Sequence, residues 1–341
     1  MRTGRNPAKS GLDAYLPKEL GVALILYIPS QEGYFANSLE IFKMQIASLR
    51  AATPQPYDLL VFDNGSCRAV VQALQELYQA GEITWLVLSR RNIGKAGAWN
   101  WIFAALPNPI IAYADADVLF RPGWLEASLE LLNAFPQAGM VSAQPNFYDV
   151  MEGKGQAHRA LENNPNVVYK PYRPSPEIID EYCLGIGATP ELAERFRQQP
   201  LPGIEHLLTG SQAVLGASHM QFIIPQAVAR QVTPLPATKA LLRAETMALD
   251  YKIDQLGFLH LSTRLPYVFH MGNTLNERLL TEFQQITGAA PAVARAEPPP
   301  QRPPSLARRW LTRLARTPRG QRQLQRVYNL LFQVLHSDKS E

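Results

Sequence analysis

Residues 109–125, with the sequence PIIAYADADVLFRPGWL, place an acidic pair at the end of an apolar run. The run is typical of a buried strand, and Asp115 and Asp117 follow it with one alanine between them. Mg²⁺ and Mn²⁺ prefer oxygen ligands, and proteins often hold them with one or two carboxylates and the oxygens of a bound phosphate. The segment therefore predicts a divalent cation site, for Mn²⁺ or Mg²⁺, at the carboxyl end of a strand. A solvated turn after a strand is the alternative that this pair alone leaves open.

Strands and helices alternate on both sides of this segment. Four continuous apolar runs are typical of strands buried on both faces, at 21–28, 57–66, 83–89 and 109–115. Helical spacing of apolar residues follows each run, at 36–51, 67–80, 96–106 and 123–134. This alternation predicts an α/β fold with a mostly parallel central sheet flanked by helices. Ligands bind such sheets in the crevice at the carboxyl ends of the strands.

The second half of the sequence is less regular. Seven prolines between about residues 150 and 209 shorten any helix or strand there, so we expect an irregular or partly helical segment that lines one side of the site. The remaining predicted elements are a strand at 139–145, two strands or one bent strand at 211–225, a helix at 236–256 and a strand at 261–272.

The two ends of the chain differ from its body. Residues 1–20 form an extension without the apolar core of a signal peptide, and two cysteines suit a reducing compartment, so a cytoplasmic protein is expected. Residues 286–304 are a proline-rich linker, and 305–341 are predicted to be a basic amphipathic helical tail. From residue 298 onward, eight arginines and one lysine face only two acidic residues.

The basic tail indicates an anionic partner. Amphipathic helices of this kind, here at 305–336, are typical of peripheral contact with the inner face of a membrane or of docking onto a protein surface. The chain contains no recognised nucleic-acid motif, so a nucleic-acid partner is not expected.

Four short motifs occur in a fixed order. They are Asp63-Asn64-Gly65-Ser66, then Asn92, Gly94, Ala96 and Asn100, then Asp115 and Asp117, then Pro122-Gly123-Trp124-Leu125. In this order and spacing the chain resembles the family 2 glycosyltransferases of the A-type fold, especially the rhamnosyltransferase-like bacterial members. The resemblance covers about residues 21–275.

The resemblance implies a binding site for a nucleoside-diphosphate sugar. It implies that residues 21–120 form the nucleotide-sugar-binding half of the domain and 121–285 its acceptor and catalytic half. The implied donor-binding residues are Pro29, Ser30, Asp63, Asn64, Asn92, Gly94, Lys95, Asn100 and Asp115. The implied metal ligands are Asp115, Asp117 and His270. Instead of binding the donor, Asp63 could serve to form a turn. Asn92 and Asn100 could likewise cap a helix or form a turn.

The resemblance also implies a general base on a late helix. Glu245 aligns with the glutamate of the family's Glu-Asp pair, but Thr246 replaces the aspartate, and Asp250 is the second candidate. His219 could face the acceptor. The implied reaction is an inverting transfer of a hexose to the hydroxyl of a glycan or lipid-linked acceptor, in cell-surface glycan or glycolipid synthesis.

Two other functions remain open at this point. A sugar-phosphate nucleotidyltransferase needs a glycine-rich, basic loop after its first strand, and the loop IPSQEGYFANS at 28–38 has one glycine and no basic residue. A non-catalytic scaffold is favoured by Thr246, whereas the intact pair of Asp115 and Asp117 argues against it.

Overall fold

The computed structural model describes residues 15–147, 164–236 and 244–289, apart from the side chains of residues 244–246. All of the described residues belong to one compact unit, 1–291. The predicted tail at 305–341, most of the predicted linker at 286–304 and most of the extension at 1–20 lie outside the described residues.

Of the twelve strands in the described residues, ten form one sheet, in the order β3-β2-β1-β4-β10-β6-β11-β9-β8-β7, and β12 pairs with β5 in a second sheet. The strands are β1 Leu20–Leu26, β2 Tyr57–Asp63, β3 Trp85–Leu88, β4 Ile110–Asp115, β5 Val118–Phe120, β6 Ala138–Ser142, β7 Val167–Tyr169, β8 Gly203–His206, β9 Gln212–Leu215, β10 Gln221–Pro225, β11 Leu259–Ser262 and β12 Val268–His270. The first four strands of the large sheet are parallel, as are β6 and β11, while its other pairs are antiparallel.

Nine α-helices and one short 3-10 helix, Gly33–Phe35, accompany the strands within the described residues. The α-helices are α1 Ser38–Ala52, α2 Arg68–Gln79, α3 Gly94–Ala105, α4 Trp124–Ala134, α5 Pro176–Ile186, α6 Pro190–Gln198, α7 Gln226–Val232, α8 Ala244–Gln255 and α9 Glu277–Thr287. None of the helices in the described ranges has the length and apolar character needed to cross a membrane.

The central strand β1 separates two hydrophobic cores because successive side chains of a strand point to opposite faces. Leu24 packs with helix α1 and with Trp124 of α4 on one face, whereas Ala23 packs with Trp99 and Phe103 of α3 on the other. Helices thus cover both faces of the sheet, and the predicted class of fold is confirmed.

Several predicted elements differ in detail from the structure. The segment 211–225 forms two strands, β9 and β10, and the predicted strand at 261–272 is divided between β11 and β12, which belong to different sheets. The proline-rich segment contains two regular helices, because Pro176 and Pro190 occupy the first helical turn, where a missing N–H costs nothing. The predicted helix at 236–256 is described only from residue 244 onward.

Candidate active site

Parallel strands bring the predicted acidic residues to one edge of the sheet. Strand β1 lies between β2 and β4, and its last residues pair with Asp63 through Leu26 and with Asp115 through Ile25. The two aspartates therefore flank the end of the same strand. This edge is the crevice in which parallel α/β sheets bind ligands.

Asp63 is buried and closes a turn. Its carboxylate accepts the N–H of Ser66 at 3.1 Å and 3.3 Å, and burial raises its pKa more than these hydrogen bonds lower it. Gly65 between them has a φ of +93°, and a Cβ there would approach the backbone of Arg91 and Asn92 to 3.0 Å. Asp63 therefore forms a turn in the structure, which is the alternative role given for it above. Gly65 allows the loop after β3 to approach this turn closely.

Hydrogen bonds from Asn64 and Asn92 fix the position of the loop that follows β3. The side-chain oxygen of Asn64 accepts the N–H of Ile93 at 2.9 Å, and its amide nitrogen donates to the side-chain oxygen of Asn92 at 3.1 Å. The same oxygen of Asn92 accepts the N–H of Gly94 at 2.9 Å, at the first residue of α3. These hydrogen bonds fix the position from which the side chain of Lys95 extends.

Lys95 is held against Asp115. Its ammonium lies 2.7 Å and 2.9 Å from the two carboxylate oxygens and donates to the backbone oxygen of His219 at 3.1 Å. The hydroxyl of Tyr113 also donates to Asp115. Burial, and then the charge of Asp115, raise the pKa of Tyr113, which keeps this donor protonated. The carboxylate of Asp115 is therefore engaged by an ammonium group and a phenol.

Asp117 faces His270. The carboxylate oxygen lies 3.3 Å from the Nε2 atom of His270, while the Nδ1 atom lies 2.6 Å from the backbone oxygen of Gly185. The backbone N–H of Met271 donates to the backbone oxygen of Asp117 at 2.8 Å, which anchors strand β12 beside the acidic turn. Burial raises the pKa of Asp117, and the neighbouring His270 lowers it.

The hydrogen bond to Gly185 defines the tautomer of His270. A carbonyl oxygen can only accept, so Nδ1 carries the hydrogen, and the ring in its neutral form directs its Nε2 lone pair toward Asp117. Histidines that bind metals usually donate their other N–H to a backbone carbonyl or a carboxylate in this way. A carboxylate oxygen and an imidazole nitrogen thus face each other as two potential ligands for one cation.

Asp117 and His270 by themselves are too few to coordinate a divalent cation, so a bound ligand would have to supply further coordinating atoms. Among the described residues, no group of three or more histidine, cysteine, aspartate or glutamate side chains is close enough together to hold a metal ion. Asp115 is turned toward Lys95 in the structure. Asp117 and His270 therefore suit a cation that completes its shell with oxygens of a bound diphosphate and with water.

Other predicted donor residues have different surroundings. Pro29 and Ser30 are exposed in the loop directly after β1, where a ligand can reach them. Asn100 exchanges two hydrogen bonds with the backbone of Leu235, at 2.9 Å and 2.6 Å. Asn100 therefore clamps helix α3 to the segment that follows α7, and the structure gives it a contact with protein rather than with the strand ends.

The predicted base residues lie on helix α8. Glu245 is in its first turn, and its side chain is outside the described part of the structure. One oxygen of Asp250 lies 2.8 Å from Nε2 of His219 and 3.6 Å from Nε2 of His260. The sequence predicted Asp250 but gave no reason to expect the second histidine, which is buried on β11.

Gly185 is a second contributor that sequence reasoning missed. A Cβ at this position would lie 3.1 Å from the Cβ of His270, so the close approach of α5 to β12 favours a glycine. Gly185 acts through its backbone oxygen and belongs to the proline-rich segment, where no motif marks it.

Residues 36–196 match the sequence model of the family described as Glycosyl transferase family 2. The matched range includes the predicted residues from Asp63 to Asp117 and ends before helix α8 and His270. The match confirms the family resemblance drawn from the motifs over this range. No protein of curated function matches the sequence.

The chain also matches solved structures at low sequence identity. The mannosyltransferase PcManGT from Pyrobaculum calidifontis, in complex with GDP-Man and Mn²⁺, is 15% identical, with a TM-score of 0.44 over 73% of this chain and 55% of that one. GalNAc-T7 with UDP, GalNAc and Mn²⁺ is 12% identical, with a TM-score of 0.46 over 80% and 48%. S. aureus TarS 1–349 is 12% identical, with a TM-score of 0.43 over 79% and 69%. The chain thus spans about half of the length of the first two.

Proposed function

We propose that this chain, whose residues 36–196 match family 2, is a glycosyltransferase that binds a nucleoside-diphosphate sugar with the help of Mn²⁺ or Mg²⁺ and transfers the sugar to a hydroxyl group with inversion. The observation that carries the metal-dependent part is the pairing of Asp117 with His270, whose ring is oriented by the backbone oxygen of Gly185. This pairing lies next to the strand ends that parallel α/β sheets use for ligands.

The nucleotide is proposed to lie across the ends of β1, β2 and β4. Pro29 and Ser30 border it from the exposed loop after β1, and Asp63 offers carboxylate oxygens to base N–H groups. The backbone near Gly94 approaches from the other side, in the loop that Asn64 and Asn92 hold in place. Support for this placement comes from the gathering of these residues at one edge of the sheet.

The diphosphate is proposed to meet positive charge from two sources. Asp117 and His270 would hold the divalent cation, with Asp115 beside them, and the cation would neutralise the diphosphate and stabilise it as a leaving group. The ammonium of Lys95, already fixed at 2.7 Å from Asp115, can donate to a phosphate oxygen at the same strand end.

The transfer needs a base but no enzyme nucleophile. As a base takes the proton of the acceptor hydroxyl, the hydroxyl oxygen forms a bond to the anomeric carbon. The bond from that carbon to the diphosphate breaks on the opposite face, and its electron pair leaves with the diphosphate. The base is proposed to come from the side of helix α8, where the sequence placed Glu245 and Asp250.

The acceptor is proposed to be a glycan or a lipid-linked glycan of the cell surface, reached from the cytoplasmic side of the membrane. The support is the basic segment 305–336, since arginines beside an anionic membrane contribute about 1 kcal/mol each. The sequence of this segment also suits docking onto a protein surface.

A thermal-shift panel tests the proposal. The wild type is heated with nucleoside diphosphates and UDP-, GDP- and dTDP-sugars, each with and without Mn²⁺. A ligand at 100 times its Kd should add about 2.7 kcal/mol of apparent stability. We expect one of the nucleotides to give this gain in the presence of Mn²⁺ and not in its absence.

Two variants locate the binding site. Asp117→Ala should abolish the Mn²⁺-dependent part of the shift, because it removes the carboxylate that faces His270. Asp180→Ala, which changes an exposed carboxylate on α5 that pairs with Arg197, is the matched control and should behave like the wild type. An Mn²⁺-dependent shift that survives in Asp117→Ala would exclude the proposed metal site.

A further inference from the structure

Asp250 joins two histidines from neighbouring strands. Its Oδ1 atom lies 2.8 Å from Nε2 of His219, in the loop before β10, and 3.6 Å from Nε2 of His260 on β11. The side chains of His219 and Asp250 are 24% and 27% exposed, whereas His260 is 4% exposed. The cluster therefore has a buried end at His260 and an end at His219 that solvent or a ligand can reach.

The charge of Asp250 decides which nitrogen of His219 is free to accept a proton. An ionised carboxylate can only accept hydrogen bonds, so the Nε2 atom of His219 carries the hydrogen at 2.8 Å. The lone pair of the neutral ring is then on Nδ1. A carboxylate that holds an imidazole in this manner also stabilises the imidazolium that forms when the ring takes up a proton.

The position of His219 connects this pair to the proposed donor site. Its backbone oxygen accepts from the ammonium of Lys95 at 3.1 Å, and the next residue, Met220, accepts the N–H of Asp115 at 2.8 Å. His219 is therefore one residue away from a direct contact with the acidic strand end. A partly exposed imidazole at this place is suited to meet an acceptor hydroxyl.

We infer that His219 is the general base of the transfer and that Asp250 is the residue that positions it. This inference rests on the proposed function and assigns its base. The Nδ1 atom takes the proton of the acceptor hydroxyl while the hydroxyl oxygen bonds to the anomeric carbon and the diphosphate leaves with the electron pair of the broken bond. The proton then passes from the imidazolium to solvent. If His219 is the base, the reaction does not need the aspartate that the family has at the position of Thr246.

The experiment measures release of nucleoside diphosphate from the nucleotide sugar that gives the largest Mn²⁺-dependent thermal shift, with water as the acceptor. His219→Ala and His219→Asn should lower turnover by about 10²–10⁴-fold, the usual contribution of a general base. Added imidazole should restore part of the turnover of His219→Ala. Asp250→Asn should also lower turnover and should not respond to imidazole, because the ring of His219 is still present but is no longer oriented.

Asp254→Asn is the matched control. It lies one turn further along α8 and faces His260 at 3.7 Å rather than His219, so turnover should stay close to that of the wild type. The donor-dependent thermal shift should be unchanged in all of these variants, which shows that each one is folded and binds the donor.

A structural readout accompanies the kinetics. Nitrogen-15 NMR of the wild type should show His219 as the Nε2–H tautomer in its neutral form, and Asp250→Asn should disturb this preference. An Nδ1–H tautomer in the wild type would overturn the inference whatever the kinetics show.

The remaining outcomes separate the inference from the proposed function. Turnover near the wild-type rate in His219→Ala, or a loss that imidazole does not restore, would overturn the role of His219. A loss in Glu245→Gln alone would return the base to that residue. If the wild type shows neither a metal-dependent nucleotide shift nor turnover of any donor, the proposed function itself fails, and the inference falls with it.

Discussion

Gly185 offers a test of the proposed metal site at a distance from its ligands. Its backbone oxygen accepts the Nδ1–H of His270 at 2.6 Å. A Cβ added by Gly185→Ala would lie 3.1 Å from the Cβ of His270 and 3.2 Å from its backbone oxygen. Contacts in this range are tighter than ordinary ones, so β12 and α5 must separate by a few tenths of an ångström. The ring of His270 then loses its orientation toward Asp117.

The magnitude follows from two opposing effects. Changing a partner that orients a metal-binding histidine typically lowers metal affinity by about 10–100-fold, which corresponds to about 1.4–2.7 kcal/mol. Alanine is up to about 1 kcal/mol more favourable than glycine inside a helix, and Gly185 lies in helix α5. This gain offsets the crowding, so the melting temperature of the metal-free protein should stay close to that of the wild type while the affinity for metal falls.

The assay is a titration with Mn²⁺ in the presence of the nucleoside diphosphate selected by the thermal-shift panel, with free Mn²⁺ followed by electron paramagnetic resonance. Leu184→Ala is the control, since this neighbouring side chain of α5 is 52% exposed. We expect weaker Mn²⁺ binding in Gly185→Ala and wild-type binding in Leu184→Ala. Equal Mn²⁺ affinity in Gly185→Ala and the wild type would refute the reasoning, and so would an equal loss in both variants.

Two further predictions concern stability and its pH dependence. Arg121→Met should cost about 3 kcal/mol in urea unfolding, because it removes the guanidinium that lies 2.7 Å from Glu181 and 2.5 Å from Glu282, two carboxylates that are only 15% and 18% exposed. Glu181 then keeps only its more exposed pairing with Arg278 at 2.7 Å, and Glu282 loses the cation beside it. Lys43→Met, which breaks an exposed pair with Glu40, should cost less than about 1 kcal/mol, and similar losses in the two variants would contradict this prediction. Burial raises the pKa of Asp63 above 3.8, so the folded protein binds this proton more tightly than the unfolded chain and loses stability as the pH rises through the folded pKa. The melting temperature of Asp63→Asn relative to the wild type should therefore increase from acidic to neutral pH, and a difference that does not change with pH would count against it.

The first half of the fold could be predicted from sequence because its signals are local. Each strand up to β4 contains a continuous apolar run, and each helix up to α4 follows with clear apolar spacing. Strand β3 differs from the expectation of burial on both faces, because it lies at the edge of the sheet and is only partly buried. The same order places Asp63 and Asp115 at strand ends, so their meeting beside β1 follows from the topology alone.

The second half depends on contacts between distant segments. The proline count predicted an irregular or partly helical segment without saying where helices would form. Pro176 and Pro190 each lie in the first turn of a helix, which depends on their position within the turn rather than on the number of prolines. Gly185 reaches His270 across 85 positions of sequence, and His260 reaches Asp250 only through the pairing of β11 with its neighbours. No periodicity encodes such contacts.

The two aspartates of the opening segment have different neighbours, although only one residue separates them. Asp115 ends β4 and is held by Lys95 and Tyr113, whereas Asp117 follows in the turn to β5 and faces His270. If both carboxylates served one cation, Lys95 would compete with it for Asp115. We therefore propose that Asp115 keeps the ammonium of Lys95 at the strand end and that Asp117 receives the metal. In that arrangement the diphosphate of the proposed donor would contact both positive charges.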